Sequence, residues 1–368
     1  RTRVPITFSV KYTWEHLVHA NPDPLFTDWT DAAGPGSVMA ELWISNFEPF
    51  TCFALSTARG IVDNLRRLGC AGFSIHPLSM YEWPLTSDRC WRYQFDRDAL
   101  WYAAWGGSKE LPPEHEAMMQ DGRLIEGLEA ASEILKVSAV YFAGDRQNQW
   151  HPQFCSVRHP DGVRLLTIED MCSLRSQSSQ WGAGIWDAFD KLDWRTTFTG
   201  RPTMHFEDYD PSNTTAYGPV EFAQEMDELS WKALSAISSA EGRYGSDTQQ
   251  CLLRHGRAQA LLGRFWAERA RAGLAYVSRD NARVVKHMEN ALGFIREIEA
   301  VEGSHRDGFR VLTGRCAQAN NWDMPRAALE QELSDYRAGR SGGRYYAGRL
   351  EHRDTSTHPR GEFVWRKR

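Results

Sequence analysis

From residue 38 to residue 150 the sequence alternates between short apolar runs and segments of helical period. The apolar runs break off into loops dense in carboxylates, rings, amides and proline. Residues 41–50 read Glu-Leu-Trp-Ile-Ser-Asn-Phe-Glu-Pro-Phe, and residues 74–88 read Ser-Ile-His-Pro-Leu-Ser-Met-Tyr-Glu-Trp-Pro-Leu-Thr-Ser-Asp. A short apolar run reads as a buried strand, and strands separated by helices build a parallel sheet. Polar, ring-bearing loops after such strands are how a parallel α/β barrel presents a sugar site. This alternation therefore constrains both fold and chemistry.

Strands are expected at residues 4–12, 38–45, 71–75 and 137–142. The 56–68 segment carries apolar residues at 58, 61, 62, 65 and 68, a helical period, with Gly69 as its stop. Further helices are expected from residue 96, with Leu100, Trp101 and Trp105 on one face, and over 124–135. Four strands are fewer than the eight of a complete barrel, so either the earlier ones precede Arg1, which is the favoured expectation, or this is a smaller α/β unit. Residues 155–215 read as irregular. From residue 219 the character changes to long amphipathic helices over 220–240, 248–276, 281–301 and 327–336, joined by short links as in a bundle. The fold class is thus α/β: a (β/α) barrel-type catalytic unit over 1–215, possible only as an incomplete barrel here, then an all-α helical domain over 216–340. Residues 341–368 are basic and Gly-rich and read as a flexible tail. The long helices offer a face for a homodimer.

Bulk properties exclude several classes. The net charge is −5, which gives no general basic field for nucleic acid. No run of about 18 apolar residues exists, so no membrane helix is expected. The 7 Cys are scattered with no Cys-x-x-Cys, which argues against a zinc cluster and for reduced thiols, with a single disulfide left open. Gly-x-Gly-x-x-Gly, Gly-Lys-Ser/Thr and His-Glu-x-x-His are missing, so nucleotide chemistry is not supported and no cofactor is expected. The chain begins at Arg1 without a visible signal peptide; a periplasmic or secreted location follows if a signal was removed, and a cytoplasmic one otherwise.

Glycoside hydrolysis needs two carboxyl groups across the scissile bond. Glu48 lies between Phe47, Pro49 and Phe50, and an apolar surround raises a carboxyl pKa and suits a proton donor. Asp88 and Asp145 are the candidate bases, while Glu41, inside a strand, reads as a buried ion-pair partner. Substrate contacts are expected from Lys11, His16, Trp43, Asn46, His76, Tyr81, Trp83, Arg89, Arg146, Asn148 and Trp150, because flat rings cover sugar faces and amides or guanidinium groups bind hydroxyls or a carboxylate. His16, His76 and His151 have no spacing that supports a metal site.

Lys11-Tyr-Thr, residues 43–50, His76-Pro-Leu-Ser, residues 82–88 and Asp145-Arg-Gln-Asn-Gln-Trp150 together resemble the catalytic region of α-glucuronidase-like glycoside hydrolases, which are TIM-barrel enzymes, and their uncharacterised relatives from polysaccharide-degrading bacteria. The Asp96-Arg-Asp-x-x-Trp101-Tyr-x-x-Trp105-Gly106 stretch resembles their helix after the penultimate strand. The resemblance implies hydrolysis of a complex, uronic-acid-bearing glycan, with a helical domain after the barrel. Two other classes stay open. One is a non-catalytic glycan-binding protein with a degenerate barrel. The other is a polysaccharide lyase, in which His76 and Tyr81 would abstract a proton beside a uronate.

Overall fold

The structure, a computed structural model, describes residues 6–12, 20–22, 24–44, 50–77, 88–106, 111, 113–138, 141, 150–151, 156–159, 162–173, 201, 204, 206–305, 309–313, 316–320 and 322–352. Three strands, β1 (Phe8–Lys11), β2 (Val38–Ile44) and β3 (Gly72–Pro77), form a parallel sheet in that order. Two helices make the crossovers, α1 (Pro24–Ala33) and α2 (Leu55–Arg67). Helix α2 buries Leu55, Ala58, Ile61, Val62 and Leu65, the predicted stripe, and Gly69 leaves it at φ 67°, a left-handed step that glycine takes without a Cβ clash. Helix α1 is not expected from the sequence. It is held by two buried residues, Phe26 and Thr30, too few to print a period, with the Phe26 ring 5.0 Å from that of Tyr12.

Register sorts the sheet into two faces. Val10, Ala40 and Phe73 share one row, and Val38, Ala40 and Leu42 are almost fully buried there. Helices α3 (Gln94–Arg97) and α4 (Ala99–Gly106) follow β3, and Trp105 of α4 sits 5.7 Å from the Phe73 ring. Lys11, Glu41 and Ser74 share a row of the other, polar face. Among the described residues the parallel sheet stops at three strands, so the barrel-type expectation reduces to a small parallel sheet within a mostly helical molecule.

Helices α5 (Pro113–Met119) and α6 (Gly122–Ser138) come next. Val137 and Ser138, read above as the start of a strand, are instead the last turn of α6. That helix is buried nearly all round from Leu124 onward, and an apolar run inside an enclosed helix has the same local signature as a buried strand. It packs against two long helices, α8 (Pro219–Ala240) and α9 (Asp247–Val277); α9 packs in turn on α10 (Asn281–Glu302), and α10 on α11 (Asp323–Arg337). Glycines set the closest crossings: a Cβ on Gly127 of α6 would collide with Ala236 of α8, and one on Gly256 of α9 would come within 2.5 Å of Leu128 and 3.0 Å of Ile237. One apolar core runs continuously from the helices over the sheet into these long helices.

A second sheet, wholly antiparallel, has the order β4 (Trp150–His151), β5 (Ser156–His159), β6 (Gly162–Leu165), β9 (Tyr346–His352), β8 (Cys316–Asn320), β7 (Phe309–Thr313), and a short helix α7 (Ile168–Ser173) follows β6. Part of the 155–215 stretch read as irregular is therefore sheet. So is part of the 341–368 tail: β9 is paired on both sides, by β6 and β8. Its partners are distant in sequence and its own residues are Gly, Arg and His as well as apolar ones, so no local pattern announces it. No helix among the described residues is long and apolar enough to cross a membrane.

Candidate functional site

Two regions hold the described candidate residues. The first is the polar face of the parallel sheet. Ser9 Oγ donates to Glu41 Oε1 at 2.5 Å. Lys11, Glu41 and Ser74 are register partners, and Trp43 and His76 are partners one repeat nearer the C-terminal strand ends. Lys11, an expected substrate contact, thus shares a row with Glu41 and Ser74, and Trp43 and His76, two others, are register partners. In parallel sheets, ligands gather beyond the carboxyl ends of the strands.

The second region is a buried polar cluster where the polypeptide returns from the two strand-end loops. Residues 45–49 follow β2 and residues 78–87 follow β3; the chain re-enters the described structure at Phe50 and at Asp88. Thr51 N–H donates to His255 Nδ1 at 2.9 Å, and His255 Nε2 lies 2.8 Å from Asp88 Oδ2. An amide N–H can only donate, so Nδ1 is the acceptor and the ring proton sits on Nε2, directed at Asp88. One imidazole of α9 therefore ties the exit of the β2 loop to the exit of the β3 loop. His255 and Asp88 have fully buried side chains. Phe50 and Trp91 meet the His255 ring edge-on at 5.9 and 5.2 Å.

The surrounding bonds extend this clamp. Gln259, one turn on from His255, donates to Thr51 O at 2.9 Å, and Ser132 Oγ of α6 donates to its Oε1 at 3.3 Å. Phe53 N–H donates to Ser132 Oγ at 2.8 Å, and Cys52 N–H to Asp98 Oδ1 at 3.1 Å. Asp98 is itself held by Arg97 at 2.7 Å, both buried. Asp88 Oδ1 accepts from Cys90 N–H at 2.8 Å and Oδ2 accepts from Arg254 Nη2 at 2.6 Å. Arg254 also faces the buried Glu302, Nε to Oε1 3.4 Å. These two carboxylates, after the opposing cost of burial, hold the guanidinium pKa above its ordinary value.

Of the expected catalytic residues, Asp88 is described, and its carboxylate is taken up by Arg254, His255 and Cys90. Glu48 and Asp145 lie outside the described residues, as do His16, Asn46, Tyr81, Trp83, Arg146 and Asn148. Arg89 is exposed; its N–H donates to His305 O at 2.9 Å and its Nη1 to Ser304 O at 3.3 Å, just past α10. Trp150 belongs to β4. Sequence reasoning did not find Thr51, Arg254, His255, Gln259 or Glu302. The one faint signal was polar residues at 255 and 259, one turn apart, beside Leu252, Leu253, Ala258, Leu261 and Leu262 of the same helix.

Among the described residues, two groups converge closely enough to hold a metal ion, Asp88 with His255 and Glu302, and Asp88 with Cys90 and Cys251. Arg254 stands beside both, 2.6 Å from Asp88 and 3.2 Å from Cys251 Sγ. A fixed cation in that position opposes a second one.

No family model and no curated protein matches the chain. In fold it is similar to a GH138 enzyme targeting pectin rhamnogalacturonan II, with a TM-score of 0.65 and 14% identity over 90% of this chain and 42% of that one. The chain thus spans less than half the length of that enzyme, and at this identity the likeness is one of fold.

Proposed function

We propose that the chain is the catalytic region of a glycoside hydrolase that cleaves a complex, uronic-acid-bearing polysaccharide of pectic type by carboxylate acid/base chemistry. The observation that carries the reading is the His255 clamp: the helical unit fixes the chain just after residues 45–49 and 78–87, two of the stretches that hold candidate residues, on a fold shared with an enzyme that targets a pectic glycan. Catalytic loops need such support, because a misplacement of about 1 Å can cost about 100-fold in rate. In this reading Glu48 is the proton donor and Asp145 the base. Asp88 acts through His255 and Arg254 as a positioning residue. Lys11, Trp43, His76, Tyr81, Trp83, Arg146, Asn148 and Trp150 contact the glycan, with the cations facing its carboxylates.

The test is digestion of pectic oligosaccharides by the full chain and by Glu48→Gln, with product analysis. The variant should lose about 10²–10⁴-fold in turnover while its circular dichroism stays that of the parent. Turnover within a factor of a few of the parent removes Glu48 from the mechanism. The enclosure of Asp88 favours one second reading, a glycan-binding protein that does not cleave; that reading predicts retention of the oligosaccharide with no product at any enzyme concentration.

A further inference from the structure

The Asp88 corner also contains two thiols that the hydrolase reading leaves without a role. Cys90 lies on the turn leaving Asp88 and is half-buried; Cys251 lies in the second turn of α9 and is buried. Their Sγ atoms and a carboxylate oxygen of Asp88 all lie within 4.8 Å of one another. Cys90 Sγ also sits 3.6 Å from the carbonyl of Asp247, the first residue of α9, so the thiol lies over the first turns of that helix. Arg254 Nη1 is 3.2 Å from Cys251 Sγ. Both cysteines are reduced in this structure.

We propose that Cys90 and Cys251 form a reversible disulfide that staples the exit of the β3 loop to α9. A bond of about 2.05 Å is reached from this separation by side-chain rotation, Cys90 lying on a turn rather than in a strand or helix. Arg254, which opposes a metal ion here, assists the thiol chemistry. The contact with Cys90, and then the guanidinium, draw the Cys251 thiol below its ordinary pKa against the cost of burial, whereas the same contact and burial push Cys90 up. The oxidant is a low-molecular-weight disulfide of the glutathione type. The Cys251 thiolate attacks the small disulfide, forming a mixed disulfide and releasing one small thiolate. Cys90, its proton passing to that thiolate, then attacks the Cys251 sulfur and expels the second small thiol. The two protein sulfurs lose two electrons, and the small disulfide gains them as two thiols. The product holds Asp88 against Arg254 and His255 by a covalent bond beside their hydrogen bonds. It makes no use of glycan chemistry, so it stands or falls apart from the hydrolase reading.

The full chain is equilibrated across a series of oxidised-to-reduced glutathione ratios, free thiols are alkylated, and unreduced digests are read by mass spectrometry. A Cys90–Cys251 cross-linked peptide should accumulate as the ratio rises and vanish with dithiothreitol. The oxidised chain should melt roughly 4–8 °C higher than the reduced one, because the bond closes a long loop of the unfolded chain. Cys90→Ser should remove the cross-link and the melting shift together. Absence of the cross-linked peptide at the most oxidising ratio in a chain that keeps its helical spectrum overturns the proposal. So does pairing of either cysteine with Cys52, Cys70 or Cys172, or an undiminished shift in Cys90→Ser.

Discussion

His255 shows how much can rest on one side chain. Its Nδ1 satisfies the Thr51 amide and its Nε2 proton satisfies Asp88. Truncation would leave a buried N–H without its acceptor, a buried carboxylate short of one donor and a cavity between Phe50 and Trp91. His255→Ala is therefore expected to cost about 2–4 kcal/mol in urea unfolding. In the parent, nitrogen chemical shifts should show a proton on Nε2 and none on Nδ1; a proton on Nδ1 would sink the clamp as described. The sequence marks Asp88 because it ends a ring-rich loop, and the structure places it at the corner where that loop is fastened. It marks His255 only faintly. A single His among the Leu and Ala of a long helix looks like any core histidine, and its partners are some 170–200 residues away in sequence, beyond the reach of periodicity or spacing.

At the scale of elements, legibility follows locality. Helices α2, α9 and α10 print a 3.6-residue stripe because one side of each is apolar or their caps are local, as with Ser246 and Gln249 at the start of α9. The end of α6 reads as a strand because an enclosed helix has no polar face to betray its period. Glycines that look like flaws in the long helices are what let them touch. At Gly263 of α9 an added Cβ would run into Ser230 Oγ of α8 and come within 2.8 Å of Ile134 of α6, whereas at Gly293 of α10 it would meet nothing within 4 Å. Gly263→Ala is expected to destabilise by about 1–3 kcal/mol through overpacking. Gly293→Ala is expected to stabilise by about 0.5–1 kcal/mol, since only helix propensity changes. The opposite signs are the test, read from urea midpoints of the two variants; a neutral Gly263→Ala would mean the crossing is looser than its geometry.

At the scale of the molecule, the question is what joins the β6–α7 region to the long helices, a join invisible in sequence because its groups come from three separate segments. Arg269 of α9 donates Nη1 to Glu332 Oε2 of α11 at 2.6 Å and Nη2 to Leu166 O, while Glu332 Oε1 accepts from Ile168 N–H at 2.7 Å. Both side chains are 1% exposed. Burial raises the Glu332 pKa above its ordinary 4.5, outweighing the pull of Arg269 and of the Ile168 amide. A carboxyl whose folded pKa is raised contributes most to stability below its unfolded value, about 4.5, and that contribution is lost as pH rises through the higher folded value. Above the folded pKa of Glu332 the ionised pair is thus a costly join that is kept because half of it costs more. Glu332→Leu alone should destabilise by about 3–5 kcal/mol by stranding the buried guanidinium. The double change Arg269→Met with Glu332→Leu should recover most of that loss, although Leu166 O and Ile168 N–H lose their partners. It should also remove the part of the decline in urea stability, as pH rises from about 4.5, that Glu332 causes in the parent. An additive double variant, or one with the parent's pH slope, would place the strength of this join elsewhere than in the pair.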